Sequence, residues 1–222
     1  MAPHEHEARR LGLPSIGSGK IYPVSESVFV RPPFPIPDHY KRAFGLDVGW
    51  NFTACCFGAY SEEEDTWFIY SEYVGEKQEP AVNSAAVRAR SLGWIRGVVD
   101  PASMGSSQAD GNSLLDIYQK NGLDLEKAIN SVEPGLLEVF QRLTEGRIVI
   151  FSTCIKMLEE MRVYHRDARG RPVKKNDHLM DALRYLIMTG DKVMQVEPAY
   201  DEEQYEEAIR HTSIGKSGIT GY

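Results

Sequence analysis

The sequence predicts an α/β domain, one mixed β-sheet with helices packed on its faces. Two observations carry that prediction. Residues 42–74 hold three strand-like apolar runs joined by turn sequence, and from residue 81 onward helical and strand-like segments alternate. A third bounds it: at 222 residues and 42% hydrophobic, the chain can build one ordinary globular core with tail to spare.

The elements follow in order. Residues 1–40 read as a connector, because Gly17-Ser18-Gly19 and the cluster Pro32, Pro33, Pro35 and Pro37 oppose both helix and central strand. The first strand, Arg42-Ala43-Phe44-Gly45-Leu46-Asp47-Val48-Gly49, ends in an acid and a glycine. Strands over 51–60 and 66–74 come next, and the acidic turn Ser61-Glu62-Glu63-Glu64-Asp65 between them is polar enough for a hairpin. Residues 81–92 form a helix, and 94–100 a strand that again ends in an acid, with Pro101 stopping it. A Gly/Ser-rich loop, 103–112, precedes a helix over 113–120 and a short strand over 125–129. A helix over 134–143 opens with Pro134, which suits a first helical turn; a strand over 147–151 and a helix over 154–164 follow. The basic segment 162–175 then leads into a last strong helix, 177–189. Beyond residue 196 the chain is acidic and then Gly/Ser-rich, composition that predicts no packed structure. The expected division is therefore a connector at 1–40, a folded domain at 41–194 and a flexible tail at 195–222. No internal repeat is visible.

Composition excludes several classes. No apolar run approaches the roughly 18 to 20 residues of a membrane helix, and residues 1–10 lack an apolar signal core. Cys55, Cys56 and Cys154 make neither a disulfide framework nor zinc-ligand spacing, which predicts three reduced thiols in a cytosol. A net charge of −7 predicts weak intrinsic affinity for DNA, since neutralising phosphates takes clustered cations.

The acids are the informative residues. Asp47 and Asp100 each close a strand, where a carboxylate can face a shared cleft without burial in the sheet. The third comes from Asn176-Asp177-His178-Leu179-Met180-Asp181-Ala182-Leu183-Arg184-Tyr185. Leu179, Leu183 and Leu186 form a stripe for the sheet. On the same wheel Asp181 lies about 40° from Asp177 and about 60° from His178. Convergent carboxylates with no partnering lysine repel one another unless a divalent cation neutralises them. Oxygen donors with few imidazoles favour Mg²⁺ or Mn²⁺ over zinc. Two such ions about 4 Å apart activate a water and stabilise the leaving oxygen of a phosphodiester.

Each acid alone has an ordinary reading. A strand-end aspartate commonly serves a turn or cap, Asp177 fits a helix N-cap, and His178 fits an exposed surface. Asp181 stands apart, because aspartate has poor propensity inside a helix. Arg162, Arg166, Arg169, Arg171, Lys174 and Lys175, against the single acid Asp167, form a cationic stretch with a turn at Gly170 and Pro172. Beside the acids it would hold a duplex phosphate backbone; the alternative is a solvated charged loop.

Gly-Leu-Asp-Val-Gly at 45–49, Val-Val-Asp-Pro-Ala at 98–102 and the run at 176–185 resemble the C-terminal nuclease domain of tailed-bacteriophage terminase large subunits. Gly17-Ser18-Gly19-Lys20-Ile21-Tyr22-Pro23 resembles the connector that follows the ATPase half in that family. The resemblance implies a ribonuclease H-like fold that cuts concatemeric double-stranded DNA at the start and finish of genome packaging. It implies Asp47, Asp100 and Asp181 as metal-binding acids, His178 as a residue assisting them and Asp177 as an outer ligand. It also implies an upstream ATPase domain, a terminase small subunit and a capsid portal as partners, in the cytoplasm of an infected bacterium. The chain departs from the full pattern in lacking a phosphate-binding loop. Gly19-Lys20 has Pro14 where the first glycine belongs and Ile21 after the lysine, and Gly215-Lys216-Ser217 has Arg210 there. No ATP hydrolysis is expected of it.

Three rivals are distinguishable. A resolvase or integrase shares the acids but not the run at 176–185. An actin- or sugar-kinase-like ATP binder also opens on a strand ending in Asp-x-Gly, but needs a second lobe. A non-catalytic docking module would use the acids only for stability, although three acids aimed at one spot destabilise a metal-free fold.

Overall fold

The structure is a computed structural model that describes residues 19–101 and 113–198. The Gly/Ser-rich loop at 103–112, the first part of the expected connector and most of the expected tail lie outside the described residues. The strands are β1 (Val30–Arg31), β2 (Lys41–Val48), β3 (Phe52–Ser61), β4 (Thr66–Glu76), β5 (Gly97–Val99), β6 (Leu125–Lys127) and β7 (Ile148–Phe151). The helices are α1 (Glu26–Phe29), α2 (Pro80–Arg90), α3 (Leu114–Lys120), α4 (Val132–Thr144), α5 (Ile155–Val163) and α6 (His178–Thr189). All seven strands join one sheet in the order β1-β7-β4-β3-β2-β5-β6.

The sheet is mixed, as expected. β2, β3 and β4 run antiparallel, joined by tight turns, while β5 pairs parallel with β2 and β7 pairs parallel with β4. In the β3–β4 turn Asp65 takes a positive φ of 46° and accepts a 2.6 Å hydrogen bond from the Tyr60 hydroxyl. Alternation along β2 splits its side chains between two cores. Phe44, Leu46 and Val48 join Val87, Leu115 and Tyr118 beneath α2 and α3. Ala43 faces the other way, into the larger core built with α4, α5 and α6.

α6 departs from a one-stripe helix. Leu179, Leu183 and Leu186 are buried as expected, but so are Met180, Asp181, Ala182, Arg184, Tyr185 and Ile187, because α4 and α5 cover the side away from the sheet. The close approach to the sheet is made over glycine. A Cβ on Gly45 would overlap the carbonyl oxygen of Ala182 and lie 3.0 Å from Leu186 Cβ; one on Gly58 would lie 2.8 Å from Leu186 Cδ2. β2 and β3 thus offer a side-chain-free groove in which α6 lies.

Residues 19–40 are not detached from the sheet. β1 extends it by pairing with β7, and Tyr22 and Phe29 are buried in the larger core. The four prolines do fall outside every element, since a proline cannot continue a ladder. α4 begins two residues earlier than the sequence predicts, leaving Pro134 in its first turn, where its missing N–H has no intrahelical partner to lose.

Candidate metal centre

Two of the acids are brought together by strand register. Leu46 pairs with Val99 in the parallel β2–β5 ladder, so Asp47 and Asp100 sit side by side one residue further on. The Asp100 amide donates to the Leu46 carbonyl at 3.3 Å. The third acid arrives from above. α6 crosses β2 at Gly45, and its first turn carries His178 and Asp181 over the same strand end. His178 Nδ1 and Asp47 Oδ2 are 2.8 Å apart, and the imidazole stacks on Phe52 at 4.1 Å between ring centroids.

The electrostatics show three carboxylates in one field. Burial pushes the Asp47 carboxyl above its usual range; the His178 hydrogen bond opposes this, and the charges of Asp181 and Asp100 push the same way as burial. Asp47 in turn raises the His178 imidazole above its usual value, outweighing burial.

Here the structure corrects the sequence reading. The carboxylates do have a partnering lysine: Lys174 Nζ lies 2.6 Å from Asp181 Oδ2 and 3.2 Å from Asp177 Oδ2. Asp181 also has a second cation, Arg184, whose Nη2 donates to Oδ1 at 2.8 Å. Arg184 Nη1 donates to Asn130 Oδ1 at 3.1 Å, and Asn130 Nδ2 donates to Asp100 Oδ1 at 3.2 Å. One chain of polar contacts therefore runs from Asp181 to Asp100. Arg184 reaches it from inside the fold, its stem lying over Gly135 of α4. Neither Arg184 nor Asn130 is visible as a site residue in the sequence, and the only hint is an arginine within an otherwise apolar helical stretch.

Asp177 holds the N-cap position of α6, and its carbonyl accepts the Asp181 N–H at 2.8 Å, but its side chain makes no capping hydrogen bond. It is 4% exposed and faces Lys174, so the simple cap reading fails. The helix end is served instead by Glu160 of α5, whose Oε2 accepts the Leu179 N–H at 2.8 Å. Burial pushes the Glu160 carboxyl up to about 7, against the pull of that hydrogen bond. A carboxyl raised from 4.5 to about 7 on folding stabilises the protein fully below pH 4.5 and loses that contribution as pH rises through 7. The expected result is a stability decline of up to about 3 kcal/mol between pH 5 and pH 8 that Glu160→Gln removes. Urea melts at both pH values check it; equal declines in the two proteins would refute it.

The cationic segment is largely engaged within the protein. Arg162 pairs with Glu26 at 2.6 Å, Arg166 with Glu133 at 2.7 Å and Arg171 with Asp167 at 3.2 Å. A bridge between Arg166 and Pro172 closes the expected turn as a short hairpin. Arg169 and Lys175 are exposed.

The donor chemistry fits a hard divalent cation: three carboxylates on one face, a fourth nearby and a single imidazole. Among the described residues, however, no three such side chains are gathered tightly enough to hold an ion as they stand. Their oxygens are shared out among Lys174, Arg184, Asn130 and His178. Cys55, Cys56 and Cys154 are buried free thiols and take no part.

A mixed sheet of this order, crossed by a helix that brings an acid to two adjacent strand ends, defines the RNase H-like class. The nuclease domain of the phage P22 large terminase has this fold, with a TM-score of 0.74 and 28% identity over 81% of this chain and 96% of that domain. The family model of the terminase RNaseH-like domain matches residues 44–189, and the chain belongs to that family. The large terminase subunit of Salmonella phage P22 is 33% identical over 196 residues, covering 83% of this chain. The chain spans 38% of that relative's length. The large terminase nuclease of thermophilic phage G20c, solved with bound magnesium, shares the fold with a TM-score of 0.57 at 13% identity, covering 77% of this chain. Among the described residues no helix is long and apolar enough to cross a membrane.

Proposed function

We propose that this chain is a divalent-metal-dependent endonuclease, the part of a large terminase that cuts concatemeric double-stranded DNA when packaging begins and ends. The observation that carries the reading is the convergence of Asp47 and Asp100, at two adjacent strand ends, with Asp181 of the first turn of α6. Asp47, Asp100 and Asp181 would hold Mg²⁺ or Mn²⁺, with Asp177 as an outer ligand. Two such ions supply a lowered water pKa for attack and charge stabilisation for the leaving oxygen.

The chain's own residues do the rest. His178, braced by Phe52, orients Asp47. Arg184 and Asn130 set Asp181 against Asp100. Lys174 pairs with Asp181 and Asp177, so a divalent cation would have to compete with it for the same oxygens. Arg169 and Lys175 are exposed cations of this segment and fit phosphate contacts. Arg162, Arg166 and Arg171 would have to share their carboxylate partners to join them.

The net charge of −7 leaves intrinsic DNA affinity weak, so we assign substrate delivery to the remainder of the motor: an upstream ATPase domain, a small subunit and a capsid portal. Residues 1–40 would connect to that ATPase domain, 41–194 form the nuclease, and 195–222 a tail. ATP hydrolysis belongs outside this chain, and the place of action is the cytoplasm of the infected host.

The test is supercoiled plasmid incubated with the protein in EDTA, Mg²⁺ or Mn²⁺. Nicking and linearisation are expected only with metal, and EDTA added later should stop them. A wild-type protein that cuts in neither metal, and binds neither by calorimetry, would favour a docking module instead.

A further inference from the structure

Among the described residues the most exposed large hydrophobic side chain is Trp50, at 60%. It lies in the turn between β2 and β3, three residues beyond Asp47 and two before Phe52, the ring on which His178 stacks. The turn is well anchored. The Gly49 amide donates to the Phe52 carbonyl at 2.8 Å, and the Lys77 amide donates to the Asn51 carbonyl at 2.8 Å. Lys77 itself holds a left-handed backbone, φ 49°, at this point. An indole is thus presented to solvent on a hydrogen-bonded support at the rim of the carboxylate cluster.

The charge pattern says what such a residue is good for. The rim holds Lys77, but Glu76 and Glu79 flank it, and three arginines of the cationic segment, Arg162, Arg166 and Arg171, are already paired with acids. Coulombic attraction for phosphate is therefore poor beside the acids. Stacking on a nucleobase needs no charge and tolerates any sequence, because every base has a π-face. We propose that Trp50 stacks on a base adjacent to the bond to be cut, at a step where bending or fraying exposes the base face. Trp50 then serves as a DNA-positioning residue that supplies contact energy where acids offset the few free cations. The inference rests on the nuclease reading above.

The experiment measures binding of the full chain to a fluorescent duplex, intact or carrying a short single-strand gap, with calcium replacing magnesium. Wild-type protein is expected to favour the gapped duplex. Trp50→Ala should weaken that complex about tenfold, and Trp50→Phe should recover most of the loss. The slope of log affinity against log salt should stay unchanged in Trp50→Ala, since no phosphate contact is removed. Tryptophan fluorescence quenched by DNA in the wild type should lose its response in Trp50→Phe. Equal binding of gapped DNA by wild type and Trp50→Ala would overturn the proposal while leaving the nuclease reading intact. A changed salt slope, or lost Mn²⁺ binding in Trp50→Ala, would also overturn it, by making the residue structural. A wild-type protein that neither binds nor cuts DNA would overturn the nuclease reading first.

Discussion

Asp181→Asn is expected to cost both cleavage and stability, whereas Asp47→Asn should cost cleavage alone. The difference lies in what each acid leaves behind. Asp181 is the carboxylate partner of Arg184, whose side chain is 1% exposed and whose Nε has no hydrogen-bond partner. Removing the charge of Asp181 leaves a buried guanidinium without a counter-charge, a loss of about 3 kcal/mol, because the asparagine oxygen, Asn130 and the Tyr185 ring at 4.5 Å offer only neutral contacts. Asp47 has the opposite balance. Its carboxyl is itself penalised by burial, and an asparagine there still gives His178 an acceptor. Asp47→Asn should therefore melt at or above the wild-type temperature. Cleavage should fall more than about 100-fold in both, beyond what loss of an outer-sphere partner costs. Adding Arg184→Met to Asp181→Asn should restore most of the stability and none of the cleavage, because the unpaired charge goes with the arginine. Thermal melts beside plasmid nicking read both effects. If Asp181→Asn melts with the wild type, the buried pair is not what holds this end of α6.

Gly45→Ala should be nearly as damaging, from a methyl group placed in the groove. The new Cβ would overlap the Ala182 carbonyl, a backbone atom that cannot rotate away, and press on Leu186 Cβ at 3.0 Å. α6 must then lift from β2, a strain of about 1–3 kcal/mol. Because α6 carries both His178 and Asp181, a displacement of about 1 Å also opens the carboxylate cluster and should slow cleavage roughly 100-fold. Gly58→Ala is the graded comparison. Its Cβ would meet side-chain atoms, Leu186 Cδ2 and Trp67 Cε3, both at 2.8 Å, so part of the strain can relax. A milder melt shift and near-normal cleavage are expected there. Equal behaviour of the two variants would show that the groove does not set the height of α6.

What could be read in advance divides by range. β2, β3 and β4 were legible because turn-bounded apolar runs are local patterns, and their ends place Asp47 without knowledge of its neighbours. β1 was not, since two residues carry no period; its pairing with β7 depends on an edge supplied more than a hundred residues later. The stripe on α6 was legible in part. Leu179, Leu183 and Leu186 mark the sheet side, but burial of the opposite side depends on where α4 and α5 pack.

The sequence by itself determined the α/β class, the order of the elements from β2 onward and which three acids to examine, because periodicity, breakers and strand-end position are properties of neighbouring residues. Only the tertiary structure decided who neutralises those acids. Lys174, Arg184 and Asn130 reach them, Glu160 takes the helix end from Asp177, and Arg162, Arg166 and Arg171 pair with acids of the protein. The reason is that a charge chooses its partner by distance and desolvation, and both are set by how the chain closes on itself.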